Sequence, residues 1–201
     1  MDTRVEHEYD KEREAKLKFK LVYIGEIKIN PKKRSKHLHE IRRVLSPQLK
    51  RLTEISPYND VYDKMCKNKK GMREIAGAKF FPIITPELNL LAELDIQIMH
   101  PEIIETPRAD IDNRMKTLLD ALKRPQSANE VVDGLHHRGE PQFTLLDDDH
   151  LVTKLTVNTT HLLSSVPREK GLANPDYDLL VIISVTVKAS KGTMDNLAVI
   201  V

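Results

Sequence analysis

Two short acidic segments contain the residues whose types and spacing could do chemistry. The first, "RADIDNRMKTLLDAL" (108–122), places Asp110 and Asp112 one residue apart at the start of a helical apolar stripe. An aspartate at a helix start is most often a cap, because its carboxylate accepts from free backbone N–H groups and meets the positive end of the helix dipole. Capping accounts for Asp112 but not for Asp110. The segment is therefore either an ordinary helix start or half of a metal site.

A lysine one helical turn further on bears on this choice. Two carboxylates so close together repel, and a shared proton, a nearby cation or a metal ion relieves the repulsion. Lys116 follows Asp112 by four residues, so both side chains project from the same face of a helix. Lys116 either neutralises the acidic pair or stands beside a metal and stabilises charge on a phosphate.

The second segment, "LLDDDHLV" (145–152), contains three consecutive aspartates at the entrance to a strand. Such a run taken alone is typical of a solvated turn. Taken together, carboxylates from the two segments form a set of hard oxygen ligands, which suits Mg²⁺ or Mn²⁺ rather than zinc. Ions held in this way activate water and stabilise the leaving oxygen in phosphodiester hydrolysis.

These two segments resemble the RusA family of Holliday-junction resolvases, in which Asp-x-Asp-Asn-x-x-Lys opens a helix and an Asp-Asp pair precedes a strand. The specific match covers residues 108–157. The positions that fall on the two motifs are Asp110, Asp112, Asn113, Lys116, Asp147 and Asp148. The resemblance implies that Asp110, Asp112 and Asp148 are Mg²⁺ ligands and that Lys116 is the catalytic lysine.

The chain also departs from the family pattern. The family's N-terminal motif, rich in proline and asparagine, is not recognisable, and a polar segment at 125–142 separates motifs that family members join more tightly. The extra acid, Asp149, leaves the third ligand open among Asp147, Asp148 and Asp149.

The resemblance implies a Mg²⁺-dependent, structure-selective endodeoxyribonuclease that resolves four-way junctions in DNA recombination and repair. Because resolution requires two symmetric cuts, we expect a homodimer with two-fold symmetry. Two other functions remain open. The chain could bind junction or duplex DNA without cleaving it, or it could be another Mg²⁺-dependent phosphohydrolase.

A basic segment supplies a candidate surface for nucleic acid. Nine Lys or Arg lie between Lys28 and Arg51 against one acid, Glu40, in a chain with a net charge of only +2. This pattern is typical either of a solvated helix face or of a surface that contacts phosphates. Aromatic residues make up 4% of the chain and Trp is absent, which favours duplex or branched DNA over stacking on single strands. The predicted contacts are Lys32, Lys33, Arg34, Lys36, Arg42 and Arg43.

The elements that must position these residues follow from hydrophobic periodicity. We predict strands at 18–29, 91–100, 151–157 and 178–190, and a helix at 112–123 ended by Pro125. Between the first two strands we predict either two short helices or one kinked at Pro47. Irregular chain at 57–90 follows, with loops and one short apolar segment in "FFPIITPEL". This order predicts an α/β (α+β) fold, a single domain with one mixed sheet packed by helices.

The predicted domain spans 18–190 with a loop insertion at 125–142. A charged arm (1–17) precedes it, and a tail (191–201) follows that is either loosely ordered or contacts a partner. The single cysteine, Cys66, excludes an internal disulfide framework and fits a reducing compartment. The charged N-terminus is unlike a signal peptide, and no apolar run approaches the roughly 18 residues of a membrane span. We therefore expect a cytoplasmic protein without membrane contact.

Overall fold

A computed structural model describes residues 17–29, 31–68, 71–100, 111–132, 140–162 and 179–200. Asp110 and all but the last residue of the predicted N-terminal arm lie outside these ranges. The strands are β1 (Lys18–Gly25), β2 (Arg73–Ile75), β3 (Ala78–Ile84), β4 (Leu90–His100), β5 (Gln142–Leu146), β6 (Val152–His161) and β7 (Leu179–Ala189). The helices are α1 (Arg34–Leu52), α2 (Tyr58–Lys67), α3 (Ile111–Leu122) and α4 (Leu197–Ile200).

The predicted α/β (α+β) class is confirmed, but the described strands form two sheets rather than one. The larger sheet has the order β1-β7-β4-β6, with β4 and β6 parallel and the other pairs antiparallel. The smaller has the order β2-β3-β5, with β3 and β5 parallel. A short 3-10 helix (Pro86–Leu88) and left-handed Asn89 (φ 53°) redirect the chain after β3, so that β4 joins the larger sheet.

The apolar periodicity of the sequence matches the buried faces. In β4, Leu94 and Ile96 are buried while Asp95 between them is exposed, as expected for a strand with one face on the core. In α3, Met115, Leu118 and Leu122 are buried. Both sheets and helices α1, α2 and α3 contribute to one buried core, with α1 packed beside α3 and β5.

The prediction of irregular chain at 57–90 is wrong. Tyr58, Val61 and Met65 form the buried stripe of α2, a helical spacing that the surrounding charges obscure in the sequence. Strand β3 contains Pro82, but β2 pairs only with residues 78–80, so in the described part of the chain the strand has a partner at Pro82 on the β5 side alone. Proline is tolerated at such a position, because it removes an N–H that a strand paired on both sides normally uses.

Helix α1 is one element that runs through Pro47, which lies on its exposed side, where water can reach the carbonyl that lacks an N–H donor. The tail is not loosely ordered over its described part. Asn196 and Val199 are fully buried, and the Asn196 amide donates to the Leu88 carbonyl (2.6 Å).

Candidate metal and nucleic-acid site

The first acidic motif lies where the two parallel strands of the larger sheet end. We call this end, marked by His100 and His161, the carboxyl edge. Helix α3 begins there, since Arg114 is close enough to His100 to affect its pKa and the Thr117 hydroxyl donates to the Lys28 carbonyl (3.2 Å). Asp112 and Lys116 are exposed on the first turns of α3 at this edge.

The second acidic motif lies at the opposite, amino edge of the same sheet, where β6 begins beside β4. Lys123, just after α3, binds Asp149 (Nζ to Oδ2 2.9 Å), and Arg124 binds Asp147. The three aspartates therefore pack against the end of α3, whereas Asp112 lies at its beginning. These two ends are about 16 Å apart along the helix axis, at roughly 1.5 Å per residue. Within one chain, Asp112 and Asp148 do not converge.

Two of the three consecutive aspartates have structural partners. Asp147 is buried, its side chain binds Arg124 and lies 3.7 Å from Arg73 Nε, and its N–H donates to the Ile84 carbonyl (2.9 Å). Asp149 binds Lys123, which also reaches Asp120 on α3 (3.2 Å). Both carboxylates are thus held by cations that join β5 to the end of α3.

Asp148 has different surroundings. Its carboxylate accepts from the His150 N–H (3.4 Å) and lies 3.3 Å from His150 Nδ1. A side-chain hydrogen bond with Asp149, helped by the bonds from His150, lowers the pKa of Asp148 to about 2. Asp148 is thus ionised over the whole physiological range and, among the described residues, contacts no lysine or arginine. Of the three aspartates it is the best placed to bind a cation.

The described residues of one chain do not by themselves make a metal centre. Within them, no group of three or more His, Cys, Asp or Glu is placed to hold an ion. Asp110, the third predicted ligand, lies outside the described ranges. The separation of Asp112 from Asp148 means that a single chain does not supply the set implied by the family motif.

The predicted nucleic-acid surface on α1 is smaller than expected. Arg42 is 2% exposed, and its guanidinium donates to the carbonyls of Lys123 (3.0 Å) and Asp120 (2.7 Å) at the end of α3. Burial lowers its pKa to about 10. The prediction that Arg42 contacts nucleic acid is therefore wrong, because its guanidinium cannot reach a phosphate while it caps α3.

The other basic residues remain accessible. Arg34 is partly exposed and forms an ion pair with Asp120. Lys36 and Arg43 lie seven residues apart on α1, so they share its exposed face. We call the four exposed residues Lys32, Lys33, Lys36 and Arg43 the basic stripe.

Comparison with known proteins finds no matching family model, curated protein or solved structure. Among the described residues, no helix has the length and apolar character needed to cross a membrane.

Sequence reasoning missed three residues at the carboxyl edge: His100, His161 and Arg114. The two histidines are strand partners 61 residues apart in the chain. Arg114 belongs to the family-like motif only as an unspecified position. No local sequence signal links the three, because strand register alone brings the two histidines together.

Proposed function

We propose that this protein is a Mg²⁺-dependent, structure-selective endodeoxyribonuclease of RusA type that acts on four-way DNA junctions as a homodimer. The observation that carries the proposal is the position of Asp112 and Lys116. Both are exposed on the first turns of α3, at the edge of the sheet where two parallel strands end. A DNA backbone could reach both side chains there.

A homodimer would resolve the separation of the two acidic motifs. Strand β6 is at the edge of its sheet in the described part of the chain, and most of its residues are exposed. Two copies of β6 could pair antiparallel about a two-fold axis at the strand centre. The start of β6 in one subunit would then lie opposite the end of β6 in the other. This pairing would bring Asp148 of the partner subunit to the carboxyl edge, the edge at which Asp112 lies.

Such a dimer would have two equivalent acidic sites, as paired cleavage requires. A Mg²⁺ ion held by carboxylates there would activate water and stabilise the leaving oxygen. Lys116 would place a positive charge beside the phosphate, where negative charge develops during cleavage. The basic stripe on α1 would bind flanking backbone, with an affinity that falls as salt rises.

Incubation with a four-way junction and Mg²⁺ tests this proposal. We expect paired nicks from the unaltered protein and a fall in rate of about 100-fold or more in Asp112→Asn, which keeps the size of the side chain but removes its charge. Asp60→Asn, a matched change of an exposed carboxylate on α2, should cleave normally. Absence of cleavage by the unaltered protein, or full activity in Asp112→Asn, would contradict the proposal.

A junction-binding protein without cleavage is the second candidate. The absence of a three-ligand group among the described residues of one chain favours it. It predicts junction binding that persists in EDTA, and no nicks with either Mg²⁺ or Mn²⁺ at protein concentrations that saturate the junction.

A further inference from the structure

The carboxyl edge holds a pair of histidines that the acidic motifs do not include. His100 and His161 are the last residues of β4 and β6 and are partners in the parallel register. Neighbouring strands lie about 4.8 Å apart and partner side chains project from the same face of a sheet. Because residues of one face alternate along a strand, His100 shares the face of Ile96 and Ile98, which are fully buried in the core.

Arg114, on the first turns of α3, lies at the same edge of the sheet. Burial chiefly, and then the positive charges of Arg114 and His161, lower the pKa of His100, in agreement with the position of all three groups at the carboxyl edge. His100 Nδ1 and Arg114 Nε are both inaccessible to solvent and have no hydrogen-bond partner in the described part of the chain. Buried polar atoms nearly always have a partner, so two unpartnered nitrogens at the same edge of the sheet indicate an acceptor that the described residues do not supply.

The local charge favours an anion as that acceptor. Among the described residues, the carboxylate that interacts with Arg114 is Glu26, and Glu26 is already paired with Lys28 (3.2 Å). A guanidinium offers several N–H donors in one plane and a neutral imidazole offers one, so a group with two or more oxygens suits them best. A phosphodiester has two free oxygens and one negative charge.

We propose that Arg114, His100 and His161 bind a backbone phosphate of the nucleic acid at the carboxyl edge. This rests on the proposed function and extends it, because it assigns the phosphate contact to residues outside the acidic motifs. Arg114 and Asp112 are both on the first turns of α3, but side chains two residues apart project from different faces of a helix. A phosphate bound by Arg114 is therefore a different one from the phosphate to be cleaved, and it would fix the DNA relative to the acidic site.

Junction binding in EDTA, where cleavage does not occur, tests the assignment. We expect Arg114→Gln to weaken binding about 10-fold and to reduce the slope of log affinity against log salt by about 1. His161→Gln should weaken binding with little effect on folding, since His161 is exposed. Lys67→Gln, which removes one exposed positive charge on α2, should leave both quantities unchanged. Unchanged affinity and slope in both Arg114→Gln and His161→Gln would overturn the assignment.

A titration with inorganic phosphate separates this subsite from the proposed nuclease function. At constant ionic strength, phosphate should shift the imidazole NMR signals of His100 and His161, identified by their loss in His100→Gln and His161→Gln, and the shift should saturate. Arg114→Gln should abolish the shift, whereas Lys67→Gln should not. If the unaltered protein fails to bind a junction, the nuclease proposal fails while this titration still decides the subsite. Absence of a saturating shift would overturn it.

Discussion

Two adjacent arginines on α1 have opposite environments. Arg42 is buried and donates to carbonyls at the end of α3, whereas Arg43 is exposed on the basic stripe. The last carbonyls of a helix lack partners within the helix, and a buried carbonyl without a donor is destabilising. An arginine side chain thus stabilises the fold at position 42, whereas the arginine side chain at position 43 is accessible to a ligand.

This contrast predicts separate effects of two substitutions. Arg42→Met should lower the free energy of unfolding by about 1 to 3 kcal/mol, because two carbonyls lose their donors. Arg43→Gln should leave stability unchanged but reduce the salt dependence of junction affinity by about one unit of slope. Urea unfolding and binding at several salt concentrations measure the two effects. Equal stability of both variants would contradict the role given to Arg42.

His37 makes stability depend on pH. It is buried, its Nε2 accepts from the Lys28 N–H (3.0 Å), and burial lowers its pKa below the ordinary value of 6.5. Between these two pKa values the unfolded chain binds more protons than the folded chain, so stability rises with pH. The stability that neutral His37 contributes should be fully present above pH 6.5 and should fall as the pH decreases below that value.

Unfolding in urea at pH 7.5 and pH 5.5 measures this dependence. His37→Gln retains an acceptor for the Lys28 N–H but does not titrate, so the loss of stability at pH 5.5 should be smaller than in the unaltered protein. Some loss should remain, because burial also lowers the pKa of His100. An identical loss in both proteins would show that His37 does not titrate in this range.

At the scale of elements, β6 differs from the other strands of the larger sheet in that most of its residues are exposed. Its parallel partner β4 is buried on one face, whereas Leu155 on β6 is 42% exposed although it is the register partner of buried Leu94. An exposed edge strand with apolar residues is a site for pairing with another strand. This is the physical basis for placing the dimer interface at β6.

A charge at the centre of β6 should prevent that pairing. In an antiparallel pair centred on the strand, Thr156 of both subunits would lie close together, so Thr156→Glu would place two like charges in near contact. We expect a shift from dimer to monomer in sedimentation at a fixed protein concentration, with the fold retained. Ala128→Glu adds the same charge at an exposed site away from β6 and should remain dimeric. A dimeric Thr156→Glu would exclude this interface.

At the scale of the whole molecule, the proposed site would be shared between the two subunits of the proposed homodimer. If each site combines Asp112 of one subunit with Asp148 of the other, Asp112→Asn and Asp148→Asn are defective for different reasons. A mixed dimer of the two variants would have one site with both changes and one site with neither.

Mixing the two inactive variants should therefore restore cleavage. We expect each variant alone to be inactive, and the co-expressed pair to nick a single strand of the junction rather than make paired cuts. If each site were formed within one chain, both sites of the mixed dimer would be defective and no activity would return. Paired tags that isolate the mixed dimer provide the control for subunit exchange.

The sequence by itself determined the elements with strong local patterns. The alternation in β4 and the stripe in α3 are set by which faces must leave water, a property of neighbouring residues. The order of these elements was enough for the α/β (α+β) class. The buried stripe of α2 is an equally local pattern, but the charged residues around it obscured its helical spacing. Strand β3 was not predicted because it contains Pro82, and proline is uncommon in strands.

Only the tertiary structure decided which of these residues meet. Strand register brings His100 to His161, and the packing of α1 against α3 buries Arg42 while Arg43 stays in solvent. The same topology sends α3 from the carboxyl edge to the amino edge, so that two acidic motifs close in sequence lie at opposite ends of one helix. Such contacts depend on where distant segments pack, and short-range spacing in the sequence carries no information about that.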